Sequence, residues 1–243
     1  MTNNEPVTGA IHSANFLPWL GTFDKIFRVQ KFIIFDIVQY PLGKNWGSRV
    51  KILLNGKEHW LTMPIKKSGN SGQKEYEVEM LEPQYNWNKM CATIRQAYLK
   101  APHFKEAFEF ITLECTVGDT QLLNDFNLNF MMKLTRKLGN NTVQFLRSSE
   151  NEKLRNSLNL RTELIVETCL AYNINRYLSG EGCLDFLLPD QFVKNNIELK
   201  FQQFKHPVYK QLNVDHFVPG LSIIDALMNC GFEELRQILK ATY

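Results

Sequence analysis

Apolar positions along this chain follow two different spacings, and the alternation between them predicts its elements. Residues 7–12 end in an apolar stretch, and residues 31–36 form a short run of apolar, β-branched and aromatic side chains. Both read as buried strands. Between them Pro18 suits the first turn of a helix that runs to about Arg28. A strand-helix-strand opening favours a parallel sheet with helices packed on it. Two more strands are expected over residues 49–54 and 59–63, joined by Asn55-Gly56, a strong hairpin-turn signal. Residues 68–72 read as a mobile loop rich in Gly, Ser and Asn, and the alternation over 76–80 suits a strand.

The middle of the chain changes to helical spacing. Helices are expected over 86–100, stopped before Pro102, and over 103–114. A long amphipathic helix then carries Leu122, Phe126, Phe130, Leu134 and Leu138, with Asp119 as its N-cap and Gly139 at its end. Strand and helix alternate again afterwards: strand 143–146, helix 161–173, strand 176–179, strand 197–204, and a helix over 222–229 closed by Gly231. The expectation is a single α/β domain, mainly a parallel sheet flanked by helices, in which residues 49–140 supply a β-hairpin and helical lobe. No linker rich in Pro, Gly or Ser divides the chain.

Composition narrows the function classes. A formal charge of +3, spread along the chain, calls for neither nucleic acid nor a membrane surface and suits an anionic small substrate equally well. The five cysteines are scattered and odd in number, which fits reduced thiols rather than a disulfide framework or a zinc pattern. No metal site is expected. The N-terminus lacks the basic and apolar regions of a signal peptide, and no stretch is apolar for long enough to span a bilayer. These features predict a cytoplasmic protein that would meet any lipid-linked substrate peripherally, at the inner face of the membrane.

Open α/β sheets bind ligands beyond the carboxyl ends of their strands, and polar residues gather at three predicted strand ends. His12 closes the first strand, Asn15 lies in the turn that follows, and Trp19 and Lys25 belong to the next helix. The free amides of that helix's first turn make a natural anion site. Asp36, Gln39 and Tyr40 follow the second strand; Asp36 suits a hydroxyl, metal or amine contact, or a loop cap. Ser179, Gly180 and Glu181 follow a later strand, with Asp185 close behind, and the flanking glycines permit close backbone approach to a ligand. His206, beside Pro207, and Tyr209 follow another. Arg49, Lys66 and Lys67 are further cations, either ligand contacts or solvated side chains. Trp19, Trp46, Trp60 and Tyr209 suit sugar stacking or core packing. Ser222 and Asp225 read as a structural helix cap. Dinucleotide, Walker A and nucleophile-elbow motifs are absent. A thiol nucleophile built from Cys183 with His206 or His12 has no local support.

Taken in order, His12-x-x-Asn15-Phe16-x-Pro18-Trp19-x-Gly21-x-x-x-Lys25, Asp36-x-x-Gln39-Tyr40, Leu61-Thr62-x-Pro64-x-Lys66-Lys67, Ala101-Pro102-His103-Phe104, Arg147-Ser148-Ser149, Tyr177-Leu178-Ser179-Gly180, His206-Pro207-Val208-Tyr209-x-Gln211 and Leu221-Ser222-Ile223-Ile224-Asp225 resemble the WbqC-like family over nearly the whole chain. The chain departs from the family pattern at Ser13-Ala14, where Gln-Pro is usual, and at Ile37, where a second Asp is frequent. The resemblance implies a role in bacterial surface polysaccharide (O-antigen) biosynthesis, including glycine transfer to a sugar precursor. It therefore implies a nucleotide-sugar or lipid-linked saccharide as partner.

The N-terminal pattern is also loosely similar to nucleotidyltransferases and pantothenate synthetase, with Pro18-Trp19-Leu20-Gly21 in place of their His-x-Gly-His core. Three readings follow. One is an ATP-dependent amide-forming ligase in which His12, Asn15 and a lysine meet the phosphates. In that reading Asp36 or Glu181 orients the amine or sugar. Another is an aminoacyl or acyl transferase with His12 or His206 as general base. The third is a non-catalytic protein that binds a glycan precursor or supports its assembly. Each places the cleft among residues 12–25, 36–40 and 179–185, with His206 joining it.

Overall fold

Five strands pair side by side in parallel in the computed structural model, which describes residues 5–41, 43, 45–66 and 72–241. The elements in chain order are β1 (Thr8–His12), α1 (Leu20–Phe27), β2 (Lys31–Ile34), β3 (Arg49–Leu54), β4 (Lys57–Thr62), α2 (Pro83–Tyr98), α3 (Phe104–Glu109), α4 (Leu123–Lys137), β5 (Gln144–Arg147), α5 (Glu152–Arg155), α6 (Arg161–Ala171), β6 (Arg176–Ser179), α7 (Pro189–Lys194), β7 (Glu198–Phe201) and α8 (Ile223–Ala241). The main sheet runs β5-β2-β1-β6-β7, and β3 and β4 form a separate antiparallel hairpin. The α/β class with a small hairpin is therefore as expected.

Side-chain alternation explains why the sheet is covered on both faces. Ala10, Phe32 and Ile34 point into a large core shared with α1, α4, α8 and the hairpin. Ile11 and Ile33 point the other way, into a smaller core with Ile165, Cys169, Tyr177 and Phe192. The larger core runs without interruption from the sheet through Val50, Ile52 and Leu61 of the hairpin to Trp87 of α2 and Phe126 of α4.

The strand order positions the site. From β1 the chain winds outward to β2 and β5, then crosses back to β6 on the other side of β1 and continues to β7. Such a reversal leaves a crevice at the carboxyl ends of the two central strands, because their following connections diverge to opposite sides. Here those ends are His12 and Ser179.

Several elements differ from expectation. Residues 76–80 form no strand: Glu75–Glu77 is a 3₁₀ turn, and only isolated bridges follow at Glu79 and Met80. Asp119 caps nothing. The N-cap of α4 is Leu122, whose amide is held by the Thr120 hydroxyl, which also donates to Asp125. The helix over 103–114 passes into a π-helical turn at Phe110–Glu114. Gly231, at φ 72°, does close a helix as expected, but a further helical stretch that was not expected follows it to Ala241. A side chain at Gly231 would strike the His103 ring, so glycine suits both the backbone and the space. Lys67 and the expected loop at 68–72, Gly72 apart, lie outside the described residues.

Candidate functional site

The turn after β1 is held by groups far away in sequence. Asn127 of α4, buried, donates from Nδ2 to the carbonyls of Ala14 (2.6 Å) and Gly47 (2.8 Å). The Phe16 amide donates to the Trp46 carbonyl at 2.9 Å. Leu17, buried with φ at 42°, carries the strain of the turn, and Ser222 Oγ fastens its carbonyl at 2.8 Å. Ser222 also accepts from the Ile224 amide, so its expected structural role stands beside a second one, pinning the site turn.

Three hollows meet at His12 along this rim of the sheet. The first, about 500 Å³, lies between Trp19, Trp46, Pro18 and Gly220. The second, about 470 Å³, is the crevice between β1 and β6, lined by Lys25, Gly180, Glu181, Cys183 and Gln202. The third, about 590 Å³, opens toward Gln39, Lys74, Arg155 and Arg161. Asn15 lines the first and third, and Trp19 the first and second.

His12 is set up as a neutral acceptor. Its Nδ1 lies 2.8 Å from the Ser13 carbonyl oxygen, which only accepts, so Nδ1 carries the proton and Nε2 keeps its lone pair. Burial, and then the Lys25 charge, lower its pKa from 6.5 to about 4. Lys25 is 4% exposed, and burial lowers its pKa from 10.5 to about 8. Its ammonium has no hydrogen bond or ion pair among the described residues. The neighbouring carboxylate, Asp24, is already taken by Arg28 (2.7 and 2.9 Å) and by Gln202. Cys183 and Asp24 ease its charge through space without a hydrogen bond, and a buried cation so held is costly unless a ligand anion joins it.

Glu75 completes the surroundings. It is buried and accepts from Ser13 Oγ at 2.9 Å, and burial raises its pKa from 4.5 to about 7. Nothing in the local sequence marks it, because it reaches Ser13 from a turn 62 residues away. Asn127 is equally invisible in the linear pattern.

The remaining expected residues fall elsewhere. Asp36 is fully buried and accepts from Ser148 Oγ (2.9 Å), the Ser149 amide (2.8 Å) and Ser149 Oγ (2.7 Å), which ties the end of β2 to the end of β5. His206 packs against Phe217, Phe204 and Trp19; the last two line the crevice, and His206 stands behind them. Tyr209 donates to Asp225, a buried hub that also accepts from Tyr98 and Gln211. Arg49 stacks on Trp60, its guanidinium carbon 3.4 Å from the ring centroid, and Lys66 pairs with Glu79 at 2.6 Å. Ser179 is buried at the end of β6, and Asp185 is exposed outside the three hollows. His12, Asn15, Trp19, Lys25, Gln39, Trp46, Gly180 and Glu181 are expected residues that line the joined hollows.

Among the described residues no three His, Cys, Asp or Glu side chains gather to hold a metal ion, and no helix is long and apolar enough to cross a membrane. Burial pushes the Cys91, Cys115, Cys169 and Cys230 thiols up to about 12, which keeps them un-ionised at neutral pH.

The family model described as the WbqC-like protein family matches residues 14–237. Rv1507c, an uncharacterized protein of Mycobacterium tuberculosis (strain ATCC 25618 / H37Rv), is 28% identical over 233 residues, covering 92% of this chain and 94% of the relative. No solved structure matches the chain. Because that match covers most of the chain, the chain belongs to the WbqC-like protein family.

Proposed function

We propose that the protein is a group-transfer enzyme of bacterial surface polysaccharide biosynthesis, moving an acyl or aminoacyl group, glycine among them, onto a sugar-containing precursor. The observation that carries this reading is the buried ammonium of Lys25, with no hydrogen bond or ion pair among the described residues, in the crevice that His12 also lines.

The acceptor's amine or hydroxyl gives its proton to His12 Nε2 as it attacks the donor carbonyl. Lys25 stabilises the tetrahedral oxyanion in a site where water is scarce. Collapse breaks the bond to the leaving group, which takes the proton back from His12. The new amide or ester and the departing group together account for every atom. Burial first, and the Lys25 charge second, make His12 a weak base. A donor anion against Lys25 removes that repulsion and raises its basicity. Asn15 and Glu181 line the walls where the acceptor is oriented, and Trp19 covers the start of α1, its ring lying where a Gly21 side chain would stand. Asp36 and His206 act as positioning residues, the first through the β2–β5 loops and the second through Trp19 and Phe204.

Lys25 and His12 would hold the phosphates if the donor were activated in place by ATP, whose chemistry there is conversion of a carboxylate to an acyl phosphate or adenylate. Product formation with ATP and a free amino acid, against formation with a preformed thioester, separates the ligase and transferase forms.

The test is mass spectrometry of surface polysaccharide from cells carrying the wild-type gene, no gene, or the folded variants His12→Gln and Lys25→Met. Loss of an acyl or aminoacyl substituent in all three altered strains is expected. An unchanged glycan in the two point variants overturns catalysis and leaves a glycan-precursor-binding protein.

A further inference from the structure

The third hollow differs from the crevice in charge and in its rim. Lys74, Arg155 and Arg161 line it, and no Asp or Glu does among the described residues. None of the three makes an ion pair among the described residues. Arg161 sits at the first position of α6 with φ at 52°, an uncommon conformation for a residue with a side chain. His12 is among the residues that line the hollow.

Beside these cations the chain exposes large apolar side chains on two loops. Leu158 is 95% exposed and Leu160 73%, and Leu184, Phe186 and Leu188 are also exposed. One hydroxyl joins the loops: Thr162 Oγ1 donates to the Phe186 carbonyl and accepts from the Leu188 amide, each at 3.3 Å. Leu160 and Phe186 both reach the hollow itself. Large apolar side chains exposed on two joined loops mark something that covers them. Cations set beside that rim match an anionic head with a hydrocarbon attached.

We propose that this rim docks on an anionic lipid surface, with the phosphate-bearing head of a lipid drawn between Arg155, Arg161 and Lys74 and its hydrocarbon against the leucines. The inference rests on the proposed transfer reaction only in placing the lipid's head next to His12; on that reading the sugar-containing acceptor arrives lipid-linked rather than as a free nucleotide sugar. A free phosphorylated metabolite would satisfy the cations and leave the leucines in water.

Flotation of the full chain with vesicles tests it. The protein should rise with vesicles of equal parts phosphatidylcholine and phosphatidylglycerol and remain behind with phosphatidylcholine alone. Arg155→Gln with Arg161→Gln should weaken vesicle binding about thirtyfold, two surface cations at the membrane being removed. Leu158→Ser with Leu160→Ser should weaken it about tenfold or more while leaving inorganic pyrophosphate binding intact. Failure of the wild-type protein to float with the anionic vesicles overturns the proposal, as does pyrophosphate binding without vesicle binding. It is equally overturned if the leucine changes spare flotation and instead convert a dimer to a monomer by light scattering, which assigns the rim to a second copy. Because the readout is vesicle binding, with His12 and Lys25 unchanged and no turnover measured, its failure is separable from failure of the transfer reaction.

Discussion

The Lys25 ammonium lies so close to Gly180 that a β-carbon on Gly180 would stand 3.1 Å from Nζ. A lysine from the helix after β1 thus ends against the backbone that leaves β6, across the strand reversal of the sheet. Gly180→Ala should push the ammonium aside by a few tenths of an ångström. On the proposed mechanism kcat falls about tenfold or more, since transition-state electrostatics depend steeply on placement. The thermal midpoint should change little. Steady-state kinetics with a melting curve checks both, and unchanged kcat would remove Lys25 from the transition state.

Lys25 should also show a conflict between stability and activity. Its pKa is lowered from 10.5 to about 8 in the folded chain, so the unfolded chain binds more proton between those values. Stability therefore rises with pH across that window, and the folded state bears the full cost below about pH 8. Lys25→Met should stabilise the protein at pH 7 by at most about 3 kcal/mol, with the gain vanishing above pH 10.5, while activity drops about a hundredfold or more. Denaturant titrations at the two pH values read the first effect.

Turnover should be bell-shaped in pH. Neutral His12 and protonated Lys25 are both required on the proposed mechanism, so kcat/KM rises through about pH 4 and falls through about pH 8. His12→Gln removes the acid limb along with most of the rate. A profile flat from pH 6 to pH 9.5 would contradict the assignment of Lys25.

Glu75 makes the opposite contribution to Lys25. Its pKa is raised from 4.5 to about 7, so the folded chain holds more proton between these values and stability falls as pH rises through them. Glu75→Gln keeps an acceptor for Ser13 Oγ and removes the buried charge. It should stabilise the protein above pH 7 by at most about 3 kcal/mol and do nothing below pH 4.5. Melting temperatures of both proteins across pH 4 to 9 check the crossover.

Asp36 is expected to act through the fold. Asp36→Ala deprives Ser148 and Ser149 of their acceptor and should cost about 2–4 kcal/mol. The kcat per folded molecule should stay within about threefold of wild type, as for a residue that only positions the loops. A hundredfold loss in folded protein would instead give Asp36 a direct part in the reaction.

The linear pattern alone determined the sheet strands, because residues such as Phe32, Ile33 and Ile34 are apolar on both faces of a strand covered on both sides. It also brought His12, Lys25 and Gly180 into view, since the ends of parallel strands and the start of the following helix are local features. The 76–80 segment misled because alternation is shared by a strand and by a chain bridged at single points, and only the neighbours decide which forms. The tertiary structure decided what each polar group faces. Asp24 could not be seen to be occupied by Arg28 and Gln202, nor Asp36 by two serines about a hundred residues away, nor Glu75 to sit beneath Ser13. A side chain's charge state and availability depend on burial and on partners brought from anywhere in the chain. Spacing in the sequence records position along one element, and the cost of leaving Lys25 alone in the crevice exists only once the elements have closed around it.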